Sequence, residues 1–338
     1  MLLTKVSIHT ITHLEAPVRV TSAEISARLA QTLKRVRLRE NFLEAASGIQ
    51  ERRFWEGSQA PSAVATLVSE QVIKKSGLSK NNIGALISTA VTKDFIEPSI
   101  ASIVHGNLKL PTECMNFDLT NACLGFLNGM HIAATLIESG QMNHVLVVAA
   151  ESVFDVVEAT LKRLEQETAT PEDVRDQLAT LTLGSGAVAM IMSRSDLAPQ
   201  GHPIRGLVSL AATEHTHLCR GGPDRMLTDA PGMLEAGVAI AQKTYQKAQV
   251  ELGSYTSQFD EFALHQVSKP LTTMLLKVLD IESHKVMTTF PEYGNMGPVS
   301  LPFTISKLEA AGRLVAGKRL AMIGAGSGLN CMVLDVQW

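Results

Sequence analysis

A chain of 338 residues, 45% hydrophobic and 19% charged, is long enough for two domains or two fused halves of one fold, and its composition is that of a packed globule, not of a disordered or collagen-like chain. A net charge of −3 gives no electrostatic reason for a nucleic-acid partner. The four cysteines, Cys114, Cys123, Cys219 and Cys331, show no C-x-x-C spacing and no histidine at ligand spacing, which argues against a zinc site and against a disulfide framework.

The N-terminal "MLLTKVSIHTITHLEAP" lacks a sustained apolar run with a small-residue cleavage site, and no later run is long enough for a membrane span; the expectation is a cytoplasmic protein with reduced thiols. "SAEISARLAQTLKRV", residues 22–36, has helical spacing. The basic stretches that follow, "LKRVRLRENF" and "ERRFWEG", alternate with apolar and acidic residues. They read either as a solvated helix face or as a rim attracting a phosphorylated ligand. "PSAVATLVSEQVIKKSGL", 61–78, predicts a helix opening on Pro-Ser and closing on Lys-Lys-Ser-Gly. "IGALISTAV", "HVLVVAAES" and "GAVAMIMSR" are continuously apolar, as expected of strands buried on both faces. Residues 155–180 are charged and helical, an excursion over the surface. Pro and Gly near 199–203 mark a boundary between an N-terminal half, 1–198, and a C-terminal half, 199–338. The second half restarts the pattern: strand "IRGLVSLAAT", helix "GMLEAGVAIAQKTYQKAQVEL", strand "EFALHQV", helix "PLTTMLLKVLDI", and a closing strand pair in "KRLAMIGAGSGLNCMVLDVQW". Strands alternating with helices predict an α/β fold of two pseudo-repeated halves.

Three stretches carry chemistry. In "TNACLGFLNGM", Cys123 stands where an apolar approach turns into a small-residue helix. It reads either as a buried hydrophobe or as a nucleophile whose thiolate a helix N-terminus would favour. In "FALHQVSKP", His265 ends a strand ahead of the helix-start signals Ser268 and Pro270, the place where α/β sheets expose catalytic groups. In "EYGNMGPVSLP", Asn295 lies in a Gly-bracketed turn that lets its amide project without a bulky neighbour.

Cys, His and Asn in this order, with a terminal "GAGSGLN", resemble the condensing enzymes of the thiolase superfamily, in the 3-oxoacyl-ACP synthase III branch, over essentially the whole chain. "FIEPSIASIVHGNL", "NACLGFLNGM", "LCRGGPDRM", "HQVSKP" and "GNMGPVS" are most similar to the OleA-type enzymes of bacterial olefin biosynthesis, which condense two fatty acyl-CoAs head to head. The resemblance implies a thiolase-like fold of layered αβαβα structure with mixed sheets, an acyltransferase activity, and no metal or redox cofactor. It implies that Cys123 is the acylated nucleophile and that His265 and Asn295 hold the thioester oxygen of the second substrate. Backbone amides of Cys123 and Ser327 would form the oxyanion hole. Such donors contribute about 3–4 kcal/mol each when removed singly.

Decarboxylating members of the family need no base, whereas joining two ordinary acyl thioesters requires one for the α-proton. In "TKDFIEPSIAS", Glu97 replaces the aromatic residue expected of a synthase III. It reads either as a cap for the helix starting near Pro98 and Ser99 or, by the resemblance, as the base that reaches into the partner subunit of a homodimer. "HQVS", with Ser268 where the synthase III motif usually has Asn, is a second departure. The expected function is non-decarboxylative Claisen condensation of two long-chain acyl-CoAs to a 2-alkyl-3-oxo acid, handed to downstream olefin-forming enzymes. The alternative is a decarboxylating 3-oxoacyl-ACP synthase III using malonyl-ACP; a silent thiolase-fold subunit is the third possibility. Arg220 and Arg225, or Arg35 and Arg37, are the candidates for the CoA phosphates.

Overall fold

The structure, a computed structural model, describes residues 1–57, 59–222 and 225–338. The continuously apolar runs become strands covered on both faces, because no position in them tolerates water. Nine strands link edge to edge: β1 (Val6–Glu15), β2 (Ala85–Ser88), β3 (Met115–Asp118), β4 (His144–Glu151), β5 (Gly186–Arg194), β6 (His202–Ala211), β7 (Glu261–Leu264), β8 (Arg319–Gly326) and β9 (Asn330–Gln337). Their order is β7-β8-β9-β6-β1-β5-β4-β2-β3. The sheet is mixed: β2 runs parallel to β3 and β4, β7 runs parallel to β8, and the other pairings are antiparallel. Only Ser7↔Pro203 and Ile8↔His202 pair across the β1–β6 junction, so two sheets meet there.

Helices fill the space between and outside these sheets. Pro61–Ser76 (α1) and Ile100–Leu108 (α2) pack Val64, Val68, Val72 and Val104 against Leu86, Leu146 and Ile191 on the outer face of the first sheet. Gly125–Glu138 (α3) and Ser300–Ala310 (α6) share one core with residues of both sheets, among them Val147, Met190, Met322 and Leu334. Ala230–Leu252 (α4) and Lys269–Val278 (α5) cover the outer face of the second sheet through Ala241, Tyr245 and Leu275. The layers therefore run helix, sheet, helix, sheet, helix.

Two sequence expectations change. Residues 22–36 form two short helices, Ser22–Arg28 and Ala30–Arg35, which break at the fully buried Leu29. Residues 155–180 are not a surface excursion. Val157, Leu161, Leu164 and Val174 pack into a core with Ile25, Leu29 and Leu33, so the charged faces point out and the apolar faces hold the two segments together.

Candidate active site

Cys123 is presented by a strained turn between β3 and α3. Ala122 takes a left-handed φ of 45°, a conformation that costs an L-residue energy and is maintained where its surroundings dictate it. Leu124 and Gly125 donate back to the carbonyls of Asn121 and Ala122, at 3.0 and 3.1 Å, closing the turn. Glycine is required on both sides. A Cβ on Gly125 would lie 2.8 Å from the Thr89 carbonyl, and one on Gly326, at the end of β8, 2.8 Å from the Asn121 carbonyl. That second approach, with the 3.4 Å bond from Asn330 Nδ2 to Asn121 Oδ1, seats the 326–330 turn, and Ser327 within it, against the cysteine turn.

The electrostatics of Cys123 differ from the sequence expectation. The helix starts two residues beyond it, with Leu124 as its cap, and the half-buried cysteine's thiol is pushed up to about 12. Burial is the main cause, reinforced by Cys219 and Glu151. Enclosure by protein outweighs the helix dipole, because removing water disfavours the anion directly. The thiol is neutral at rest, so any attack by it requires loss of its proton. The fraction ionised near neutrality lies far below that of a free cysteine. We therefore expect alkylation of Cys123 by a small electrophile to rise about tenfold per pH unit through the neutral and mildly alkaline range. A rate that levels off near neutrality would show a thiol already ionised.

His265 follows β7 directly, and its backbone N–H bonds the Ile323 carbonyl of β8 at 2.9 Å. Burial alone drops its imidazole to about 4, so the ring is neutral. Nδ1 is buried without a hydrogen-bond partner among the described residues. An unpaired lone pair costs less than an unpaired N–H, which favours the tautomer carrying its proton on Nε2. Gln266 beside it is tied to the segment leading to Asn295: Nε2 donates to the Met287 carbonyl at 2.7 Å, and Oε1 accepts from the Thr289 N–H at 2.8 Å. Ser268 caps α5 through the Leu271 N–H at 3.5 Å, as its position predicts.

Asn295 sits between Gly294 (φ 67°) and Gly297 (φ 55°). Its Oδ1 accepts the Gly297 N–H at 3.0 Å, and its backbone bonds Thr182 and Gly184. With Oδ1 engaged, the amide offers Nδ2 as a donor. Gly297 also lies close to Glu151: a Cβ there would be 3.9 Å from the Glu151 Cγ.

Glu97 is exposed and makes no hydrogen bond or ion pair among the described residues. The capping reading does not hold: Ser99 caps α2 through the Ser102 N–H at 3.1 Å, and Asp118 accepts from Ile100 and Ala101. Phe95 is 60% and Ile96 97% exposed immediately before it. Of the basic candidates, Arg35 is spent on the Gln166 and Ala169 carbonyls. Arg37 and Arg220 are exposed, and Arg225 lies 4.0 Å from Asp173. Pro223 and Asp224, within the "LCRGGPDRM" stretch, lie outside the described residues. Sequence reasoning missed Glu151, although a carboxylate ending an otherwise apolar strand was a signal, and it missed the bracing role of Gln266.

Comparison with known proteins places this geometry. Residues 117–208 match the family described as 3-oxoacyl-[acyl-carrier-protein] synthase III, and residues 251–338 match its C-terminal part. The chain is 44% identical to the acyl-CoA:acyl-CoA alkyltransferase of Xanthomonas campestris pv. campestris over all of both chains. It is 34% identical to that of Shewanella oneidensis over 99% of each. A cysteine-to-serine variant of Xanthomonas campestris OleA, with bound lauric acid and lauroyl-CoA, superposes with a TM-score of 0.98 at 44% identity and covers 100% of each chain. Other crystallised variants of that enzyme carry substitutions at a histidine and at a glutamate. The fold is the thiolase-like one, and the chain belongs to the acyl-CoA:acyl-CoA alkyltransferases, within the 3-oxoacyl-ACP synthase III-like condensing enzymes.

Proposed function

We propose that the protein is an acyltransferase that joins two long-chain fatty acyl-CoAs by non-decarboxylative Claisen condensation, working as a cytoplasmic homodimer. The thiol of Cys123 attacks the first thioester, and its proton leaves with the departing CoA as the free CoA thiol. The carbonyl oxygen of the second thioester is held by His265 Nε2–H and Asn295 Nδ2. Glu97 of the partner subunit removes the α-proton, and the resulting enolate attacks the acyl-cysteine. The oxyanion formed there lies against the amides of Cys123 and Ser327, and the thiolate departs. Hydrolysis of the new thioester gives a 2-alkyl-3-oxo acid, which loses carbon dioxide to a ketone unless a downstream enzyme takes it up.

The observation that carries this reading over a malonyl-dependent synthase is Glu97, an uncommitted carboxylate on an apolar-tipped segment, which a decarboxylating enzyme does not need. In the Xanthomonas enzyme, the glutamate, cysteine and histidine that were substituted are separated by the same intervals along the chain as Glu97, Cys123 and His265. A second copy of the chain is supported by the exposed Phe95 and Ile96 and by β3, a sheet edge with one side unpaired. The four cysteines are free, which suits a reducing compartment. Arg220 and Arg225 remain the candidates for the CoA phosphates. Residues 1–198, with Cys123 and Glu97, and 199–338, with His265 and Asn295, are the two proposed halves. Purified protein given one long-chain acyl-CoA and nothing else is expected to release CoA and form 3-oxo acid and ketone, identified by mass spectrometry. Strict dependence on malonyl-ACP would support the decarboxylating alternative instead.

A further inference from the structure

The segment carrying Glu97 leaves β2 and enters α2, and carboxylates from the neighbouring strands hold both of its ends. At the first end, Glu151 closes β4 and is 2% exposed. Its Oε1 accepts the Val91 N–H at 2.6 Å and its Oε2 the Thr92 N–H at 3.0 Å. Thr92 Oγ1 in turn accepts the Ser152 N–H at 3.1 Å. At the second end, Asp118 closes β3. Its oxygens accept the Ile100 and Ala101 N–H groups at 3.2 and 2.9 Å, and Lys93 Nζ lies 3.2 Å from Oδ2. Asp94 adds a tie to α1 through the Ser62 N–H at 3.0 Å. Between these ties, Phe95, Ile96, Glu97 and Pro98 make no hydrogen bond among the described residues.

We propose that Glu151 and Asp118 are positioning residues for the general base, fixing the two ends of an arm whose tip presents Glu97; this rests on the reading of Glu97 as that base. Two amides from consecutive residues converge on Glu151, and only a bidentate acceptor satisfies both. A glutamine of the same shape would set an N–H against one of them. Burying a carboxylate is costly unless every oxygen is bonded, and both of the Glu151 oxygens are committed to the arm. Burial lifts this carboxyl to about 7, and the bonds from the Val91 and Thr92 amides oppose that shift by favouring the ionised form. It stands beside Cys123 and Gly297, and each of its oxygens already accepts an amide of the arm. Besides its charge near the Cys123 thiol, its link to the chemistry runs through the arm.

The test uses the full-length enzyme with one long-chain acyl-CoA, measuring the first-turnover release of CoA and the ratio of condensed product to free fatty acid. Asp118→Asn is expected to leave acylation of Cys123 within about twofold of wild type, and Glu151→Gln, which removes a charge that raises the Cys123 thiol, is expected not to slow it. Condensation falls about 10–100-fold, the cost of a misplaced catalytic group, and acyl-enzyme is diverted to hydrolysis. A merely structural defect lowers both steps and leaves the ratio unmoved. Combined with Glu97→Gln, Glu151→Gln is expected to add less than about a twofold further loss, because the two act in series. A full further loss in that background, or equal loss of acylation and condensation, would overturn the positioning role alone. Undiminished condensation by Glu97→Gln would overturn the base assignment and this proposal with it. Asp118→Asn carries the same measurement should Glu151→Gln fail to fold.

Discussion

Replacing Cys123 with serine is expected to lower turnover on the order of 10⁴–10⁶-fold, as loss of a catalytic nucleophile does elsewhere, with the melting temperature nearly unchanged. The two side chains are close in size, so the turn built by Ala122, Leu124 and Gly125 persists. The chemistry does not. Burial already holds the thiol up to about 12, and a hydroxyl in the same enclosure is far harder to ionise. Sulfur compensates by its intrinsic nucleophilicity and by forming a thioester that an enolate attacks readily. Intact-protein mass spectrometry should show one acyl group added to the wild type and none to the variant. Acylation of the serine variant at a comparable rate would move the nucleophile elsewhere.

Glu97→Gln should separate the two halves of the reaction. Acylation of Cys123 is expected to stay near the wild-type rate, because Glu97 makes no described contact with its own chain's cysteine turn. Condensation is expected to fall about 10²–10⁴-fold, the usual loss of a general acid–base group. Glutamine keeps the volume and polarity but has no lone pair basic enough to take an α-proton. CoA release in a first-turnover burst, followed by slow hydrolysis to fatty acid, is the signature to look for. Equal loss of both steps would make Glu97 structural.

The fold was legible where sequence and packing agree. His144–Glu151 and Gly186–Arg194 are apolar because they lie inside the layers. Ser268 and the Pro-Ser opening of α1 mark helix starts by local chemistry alone. The break at Leu29 was not legible: no Gly or Pro marks it, and it follows from packing against Val157 and Leu161. At the site, the order of Cys123, His265 and Asn295 carried the resemblance, but local sequence misjudged the thiol. Helix position is local, whereas burial and the nearness of Cys219 and Glu151 arise only on folding. Glu151 was passed over because its two partners, Val91 and Thr92, lie some sixty residues earlier in the chain.

Subunit complementation tests the central claim most directly. On the proposed dimer, the Cys123→Ser and Glu97→Gln proteins are each expected to be severely impaired in condensation, and mixing them under conditions of subunit exchange creates hybrids. If the carboxylate works across the interface, each hybrid holds one complete site, and an equal mixture should regain about a quarter of wild-type activity for a two-fold symmetric dimer. Hybrids that form, as shown by native mass spectrometry, yet yield no 3-oxo acid would contradict the account.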